Sequence, residues 1–473
     1  MPWYENKNFG KTTLAEDLTT DETPVDVTSA ASFPASGSFL CVIWHSTFHS
    51  PQDDSAAEVV EVTSVATNTF TCVRAQEGTS GHAWSSGDNI AHVLTAGKVD
   101  QIENNMGLQN LITNSGFGVW SNSTLEEADA TNVSVTDITS GVCTCAETRT
   151  LAVGKLIKFD AGGTTANKVY EITALTNDTS FTLHDTSITD ATDVTGHEVT
   201  PGCVAADAKG PDGWLKNSGC SVWREHSGTN TKAGSFYALK MTGAAGVSTE
   251  RLFWSSSGGG IEKTFVAKFA GRTVTFGCWV LCSSASKARI AFYDSVNSYT
   301  YSTYHSGGGT YEWLEVSLAV PSNTTEFDPV LFSGTSTTAY FSQPMLVFGS
   351  YIGAGNYFPI NGEVIDCEVT IQYACASTVA TLNIEAISNG KIPKAARAAH
   401  MTVYGSNTAA SKYFYPASAA GNFGLILRSQ VANIVCQDSG YQPFSIGTGD
   451  LNIDVSDANW SGVCLVFNAI VLN

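Results

Sequence analysis

The residues whose types and spacing suggest chemistry are tyrosines. The segment YDSVNSYTYSTYHSGGG sets Tyr293, Tyr299, Tyr301 and Tyr304 around Asp294 and Asn297. A pyranose has an apolar ring face and a rim of hydroxyls, so exposed aromatic rings beside amides and carboxylates suit it. Residues 299 and 301 are two apart, which on a strand places both on one face. KYFYPAS (412–418) is a second polar-aromatic loop, with Tyr413 and Tyr415. Trp254, in LFWSSSGGG, is either a platform or a core residue. The competing reading of the tyrosines is packing on a neighbouring subunit.

Other chemistries find less support. There is no GxSxG elbow, P-loop or HExxH motif. A glycosidase needs two carboxylates facing one another across the scissile bond. Glu250, Asp294 and Glu312 are the available ones, and charge at strand ends is ordinarily solvated. His45 and His49 (HSTFH) have the spacing of a helical metal pair but lie in a loop, and Asp53-Asp54 is too short for a calcium loop. The glycine runs GTGDL and GGG do not precede helices, as a phosphate cradle would require. The twelve cysteines include no CxxC pair and read as buried thiols. No catalytic residue, metal site or cofactor is therefore expected, and the chain is read as non-enzymatic.

The elements that position these residues are strands. Short alternating or β-branched runs such as EVVEVTSV, RTVTFGCWV and WLEVSLAV are bounded by Gly, Ser, Asn and Asp, and long helical periodicity is almost absent. Charged residues make up 14% of the 473, against roughly 25% in ordinary soluble domains. Polarity comes from Ser, Thr, Asn and Gly instead. The 24 basic and 44 acidic residues leave a net charge of -20, which disfavours nucleic acid and anionic lipid as partners. No apolar run of membrane-spanning length occurs, and MPWYENKNFGKTT lacks the apolar region of a secretory leader, so neither membrane insertion nor standard export is expected.

The expected fold class is all-β, in several domains. Residues 1–94 read as a small N-terminal β-barrel, with Phe33, Leu40, Val42, Val59, Val65, Phe70 and Val73 inward. Residues 95–110 are the best helix candidate. Val99, Ile102 and Met106 have a-d-a spacing there, for either an oligomer neck or a linker packed on its own domain. Residues 111–125 and 207–361 read as a jelly-roll sandwich, interrupted by a second small barrel over 126–206. NKVYEITALTNDTSFTLH in that insertion echoes AEVVEVTSVATNTFTCVR of the first barrel, through repetition or through chance likeness of hairpins. Residues 362–473 alternate strictly and read as a C-terminal β-sandwich, whose apolar closing strand is central or buried by a subunit.

Two of these stretches resemble known families. RAQEGTSGHAWSSGD, from Arg74 to Asp88, resembles small domains at the N-terminal ends of bacteriophage tail-fibre and tail-associated proteins. NSGFGVW, ALKMT, FGCWV and AYFSQPML, in that order, resemble carbohydrate-binding-module-like jelly rolls of phage tail and glycan-active proteins. The resemblance implies a virion protein of the tail or baseplate periphery, assembled in the host cytoplasm. It implies a homo-oligomer, as a trimer, attached through the N-terminal domain to other tail or baseplate proteins and binding host surface polysaccharide. A purely structural baseplate, collar or decoration protein is the alternative, and a glycan-degrading tail protein is the second.

Overall fold

The computed structural model of the chain describes residues 10–35, 38–95, 109–148, 151–160, 163–191, 193–204, 209–217, 219–226, 228–244, 250–254, 266–360, 362–373, 379–417, 425–445, 448–456 and 459–472. Residues 96–108 of the expected helix, with Val99, Ile102 and Met106, lie outside them. The fold is all-β, and the chain forms two compact units, Met1–Leu108 with Gly353–Asn356 and Gln109–Ile352 with Tyr357–Asn473.

The first unit is one six-stranded antiparallel sheet. Its order is Lys11–Thr13, Asn89–Ala91, Phe39–Trp44, Glu58–Ala66, Thr69–Gln76, Pro24–Asp26. A bridge from Leu14 to Val27 joins the two outer strands, so the sheet closes on itself. Phe33, Phe39, Cys41, Ile43, Val60, Val62 and Phe70 fill the interior. The expected inward set was partly out of register. Leu40, Val42 and Val59 are buried in a separate cluster with Trp44, and Val73 is exposed. Every residue of FLCVIW is buried, so alternation alone could not choose the inner face of that strand.

Arg74, Ala75, His82 and Trp84 converge on one buried carboxylate, Glu58. Arg74 Nη2 and Nε donate to it at 2.6 and 2.7 Å, Trp84 Nε1 at 2.9 Å, and the amides of Ala75 and His82 at 3.0 and 3.2 Å. Burial alone would raise this carboxyl, but the donors, Arg74 foremost, hold it below its ordinary range. The glycine-rich run is thus stapled to the barrel by an ion pair whose partners are both buried.

In the second unit, the strands Thr124–Thr139, Val194–Cys203, Leu156–Phe159, Val169–Asn177, Ser180–Leu183 and Val142–Cys145 pair in that order, and the last pairs again with the first. This ring has the connectivity of the first unit's sheet, strand for strand in chain order. Tyr170, Ile172 and Phe181 occupy core positions, as Val60, Val62 and Phe70 do in the first unit. Cys143 and Cys145 are both buried on one face.

The barrel strand Val194–Cys203 continues through Cys220–Glu225 into the first jelly-roll sheet. Ala238–Gly243, Thr338–Phe348, Thr273–Cys282 and Tyr311–Ala319 complete it. The facing sheet runs Trp214–Lys216, Glu250–Trp254, Phe327–Ser333, Ala288–Asp294, Ser298–Tyr301. Cys278, Val280 and Cys282 point inward from one sheet and Ile290, Phe292 and Leu331 from the other.

The remaining strands form a sandwich of two four-stranded sheets. One is Glu363–Tyr373, Trp460–Leu472, Ala396–Asn407, Cys436–Pro443, and the other is Val379–Leu382, Leu451–Val455, Lys412–Ala417, Leu427–Ser429. The closing strand Trp460–Leu472 is central, between Glu363–Tyr373 and Ala396–Asn407. The strand Val379–Leu382 ends at Asn383. That side chain accepts from the Ala386 amide at 2.9 Å and so caps a short helix, Ile384–Ile387.

This helix sits at a junction. Glu385 accepts from Arg224 Nη2 at 2.5 Å and from the Tyr237 hydroxyl at 2.9 Å. Arg224 Nη1 also donates to the Gly118 carbonyl at 3.1 Å, and its guanidinium lies 4.3 Å from the Tyr237 ring centroid. Asn383 Nδ2 donates to Glu171 Oε2 at 2.6 Å, and Lys394 pairs with Glu171. Side chains of the jelly roll, the inserted ring and the C-terminal sandwich thus share one buried polar network.

Candidate functional site

The expected tyrosines come together in part. Tyr299 and Tyr301 stack at 5.6 Å with planes 19° apart, as their two-residue spacing on the strand Ser298–Tyr301 implies. Tyr293 packs on Tyr299 at 5.0 Å, and Phe332 meets both Tyr299 and Tyr301 edge-on. The Arg289 guanidinium lies 3.3 Å from the Tyr301 centroid and 4.3 Å from that of Tyr304, so it takes ring face from both.

Asp294 is fully buried, and its Oδ1 accepts the amides of Val296 and Asn297 at 2.8 and 2.7 Å. It closes the hairpin turn in which Asn297 sits and is not displayed to a ligand. Glu312 accepts from the amide and hydroxyl of Ser306. Asp294 and the partner of Glu250, Ala288 by way of Ser333, stand at opposite ends of one seven-residue strand. The backbone positions of Asp294 and Glu250 are therefore on the order of 20 Å apart along the strand direction. The side chain of Trp254 lies outside the described residues.

Tyr413 and Tyr415 lie on a strand rather than a loop. Lys412–Ala417 pairs on both sides, and the two rings stack on its outward face at 5.1 Å with planes 18° apart. Tyr415 donates to Asp454 at 2.9 Å, and this bond, with lesser burial and charge effects, lifts its phenol to about 12. Asn452 accepts from Thr381 at 2.8 Å on the neighbouring strands.

A third aromatic surface escaped the sequence reading. On the outer face of the first jelly-roll sheet, Trp223, Lys240, Tyr340, Leu281 and Tyr311 are direct cross-strand neighbours in one row. Beside it, Trp279 pairs with Ser342 on one side and Trp313 on the other. FGCWVLC reads as uniformly apolar, yet its cysteines and Val280 point inward while Trp279 is only half-buried on the outer face. The local signal was the alternation of a large aromatic between small residues. The indoles of Trp279 and Trp313 are 5.7 Å apart at 65°.

Two neighbours fix the pose of Trp313. Its Nε1 donates to Glu315 at 2.8 Å, while Glu315 accepts the Ile352 amide at 3.1 Å. Beneath it is Gly277, where a Cβ would fall 2.1 Å from Trp313 Cζ2. The segment from Asn230 to Ser235 crosses the same face. Tyr311 donates to the Asn230 carbonyl at 2.7 Å, Gln343 to Ser235 at 2.9 Å, and Lys232 Nζ lies 4.0 Å from the Trp279 centroid.

Among the described residues no group of three or more His, Cys, Asp and Glu is gathered as a metal site, and the described cysteines form no disulfide. His45 pairs with Asp54 at 2.8 Å.

No protein-family model matches the chain, and no curated protein does. Among solved structures it is similar to the enzymatically active domain of tailspike protein 4 of bacteriophage CBA120, at 12% identity and a TM-score of 0.23 over 31% of this chain and 20% of that one. It is similar to the arabinose-bound α-L-arabinofuranosidase MgGH51, at 14% identity and a TM-score of 0.23 over 32% of this chain and 27% of that one. It is also similar to the CBM22-1 xylan-binding domain of Paenibacillus barcinonensis Xyn10C, at 12% identity and a TM-score of 0.22 over 32% of this chain and 94% of that one. The chain thus spans about a quarter or less of the two enzymes. With scores this low, the jelly roll is defined by the chain's own sheets. The presence of two enzymes among these matches corrects the expectation of a non-enzymatic chain.

Proposed function

We propose that the chain is a carbohydrate-binding attachment protein of a phage tail, and that the outer face of its first jelly-roll sheet holds the glycan. The observation that supports this is the outward placement of three tryptophans and two tyrosines where a solvated sheet face would carry polar side chains. Trp313 is held flat by Gly277 and Glu315 and offers an indole for an apolar sugar face, with Lys240 and Glu225 on the same face for the hydroxyl rim. The barrel of the first unit would attach to tail or baseplate proteins, and assembly as a homotrimer would multiply weak sites into tight attachment.

The test is binding of the full chain to host cells and to an array of host-surface glycans, with Trp279→Ala and Trp313→Ala beside the parent. Each variant is expected to weaken binding by about 30-fold, as loss of a binding hot spot does. Unchanged binding by both would refute this site. Absence of binding to every host strain would leave a structural baseplate, collar or decoration role. Light scattering on the purified protein tests the trimer.

Glycan degradation is the second reading. Glu225 follows Trp223 by two residues on its strand and so lies on the aromatic face. Incubation with host polysaccharide and assay of new reducing ends separates cleavage from binding alone.

A further inference from the structure

A groove of about 620 Å³ runs between the inserted ring and the helix Ile384–Ile387, and it belongs to neither the tryptophan face nor the tyrosine pairs. Its volume lies within the range of small-ligand sites, roughly 300 to 1,000 Å³. Tyr170 and His184 contribute aromatic rings to the lining, with centroids 5.7 Å apart and planes 38° apart. His184 Nδ1 accepts the Glu171 amide at 3.0 Å, which fixes the tautomer and leaves Nε2 as the donor. Burial, ahead of nearby charges, lowers the tendency of His184 to protonate and lifts the Tyr170 phenol to about 12, so both rings are neutral donors at neutral pH.

The rest of the lining is amide and hydroxyl. Asn167 and Asn389 both adopt the left-handed conformation, with φ of 58° and 57°, which asparagine tolerates better than most side chains. The charged lining residues are Lys168 and Asp185, of opposite sign, and Asp185 is already engaged by the amide and hydroxyl of Ser187 at 2.9 and 2.6 Å. Two rings, two amides, several hydroxyls and no net charge match a neutral hydroxylated ligand with an apolar face.

We infer that this groove is a second saccharide site, taking about two or three rings of a neutral glycan between the inserted ring and the C-terminal sandwich. The inference rests on the carbohydrate-binding reading of the chain but uses none of the residues of the tryptophan face. Because its walls come from two sheet systems, occupancy would also brace them against one another.

The test is calorimetric titration of the full chain with maltohexaose, cellohexaose and xylohexaose. Asn167→Gly with Asn389→Gly removes both amides while keeping the left-handed backbone, and Ser187→Trp fills the groove from an exposed loop. Trp279→Ala with Trp313→Ala removes the other surface. The expected result is two binding events with at least one probe, one of them weakened tenfold or more by either groove variant and retained by the tryptophan variant. Two other results bear on the groove alone. If the groove variants leave the titration unchanged while the tryptophan variant abolishes it, the groove is overturned and the sheet face stands. If the parent binds none of the probes, the groove is overturned, and whole-cell binding still decides the sheet face. Loss of all binding in the groove variants, with the tryptophan variant unaffected, would support the groove and overturn the sheet face.

Discussion

Replacing Arg224 by methionine removes one side of the buried pair at the junction of the second unit. Arg224 and Glu385 each keep only 3% of their side-chain surface exposed, so solvent cannot take the place of the lost partner. Glu385 would keep the Tyr237 hydroxyl as donor and lose its nearest positive charge. Breaking a buried pair in this way costs about 3–5 kcal/mol. The second unit has about 360 residues, and at about 2.1 cal/mol/K per residue it shifts by roughly 1.3 °C per kcal/mol, so the melting transition should fall by roughly 4–7 °C. Burial already raises the Glu385 carboxyl, and Arg224 opposes that rise. Without Arg224 the folded-state value rises further above the unfolded one, so the folded state favours the protonated acid. The loss should therefore be smaller at pH 5 than at pH 8. The double variant Arg224→Met with Glu385→Leu should recover most of the loss, because replacing both partners by apolar side chains leaves no unpaired charge. Scanning calorimetry of the full chain at both pH values measures all of this. A shift under about 2 °C for Arg224→Met, or a double variant as unstable as the single one, would refute the reasoning.

Other variants test separate parts of the molecule. Gly277→Ala should displace the Trp313 ring, because its new Cβ would overlap Cζ2, and should reduce glycan binding about tenfold or more with the circular-dichroism spectrum of the sheet intact. Glu58→Gln should strip the charge that Arg74 pairs with and destabilise the first unit by about 3–5 kcal/mol, read as an earlier denaturant midpoint. Glu363 is buried and its carboxyl is pushed up to about 7, by burial first, against the Asn114 amide that it accepts. A folded value above the unfolded one means stability is fullest below the ordinary carboxylate range and falls as the pH rises towards 7. Glu363→Gln should flatten this fall, with a higher melting temperature than the parent at pH 8 and an equal one at pH 4.

Much of this was legible in the chain itself, because period-two alternation reports directly which face of a strand is buried. It identified the all-β class, placed Tyr299 with Tyr301 on a common face, and showed the echo between EVVEVT and KVYEIT that accompanies two rings of the same connectivity, whereas the strand that aligns Tyr413 with Tyr415 was read as a loop. Alternation is silent where both faces are apolar. FLCVIW turns Phe39, Cys41 and Ile43 inward because of what lies across the barrel, and FGCWVLC turns Trp279 outward for the same kind of reason. Asp294 had the chemistry of a ligand and became a turn closer, since the hairpin brings two amides to its carboxylate. Arg224 and Glu385 are 161 residues apart, and no spacing rule connects them. Local pattern thus determined which residues form strands and which sides those strands prefer. Long-range pairing decided which aromatic rings reach solvent and which charges meet in the interior, because these depend on neighbours that only the folded sheets supply.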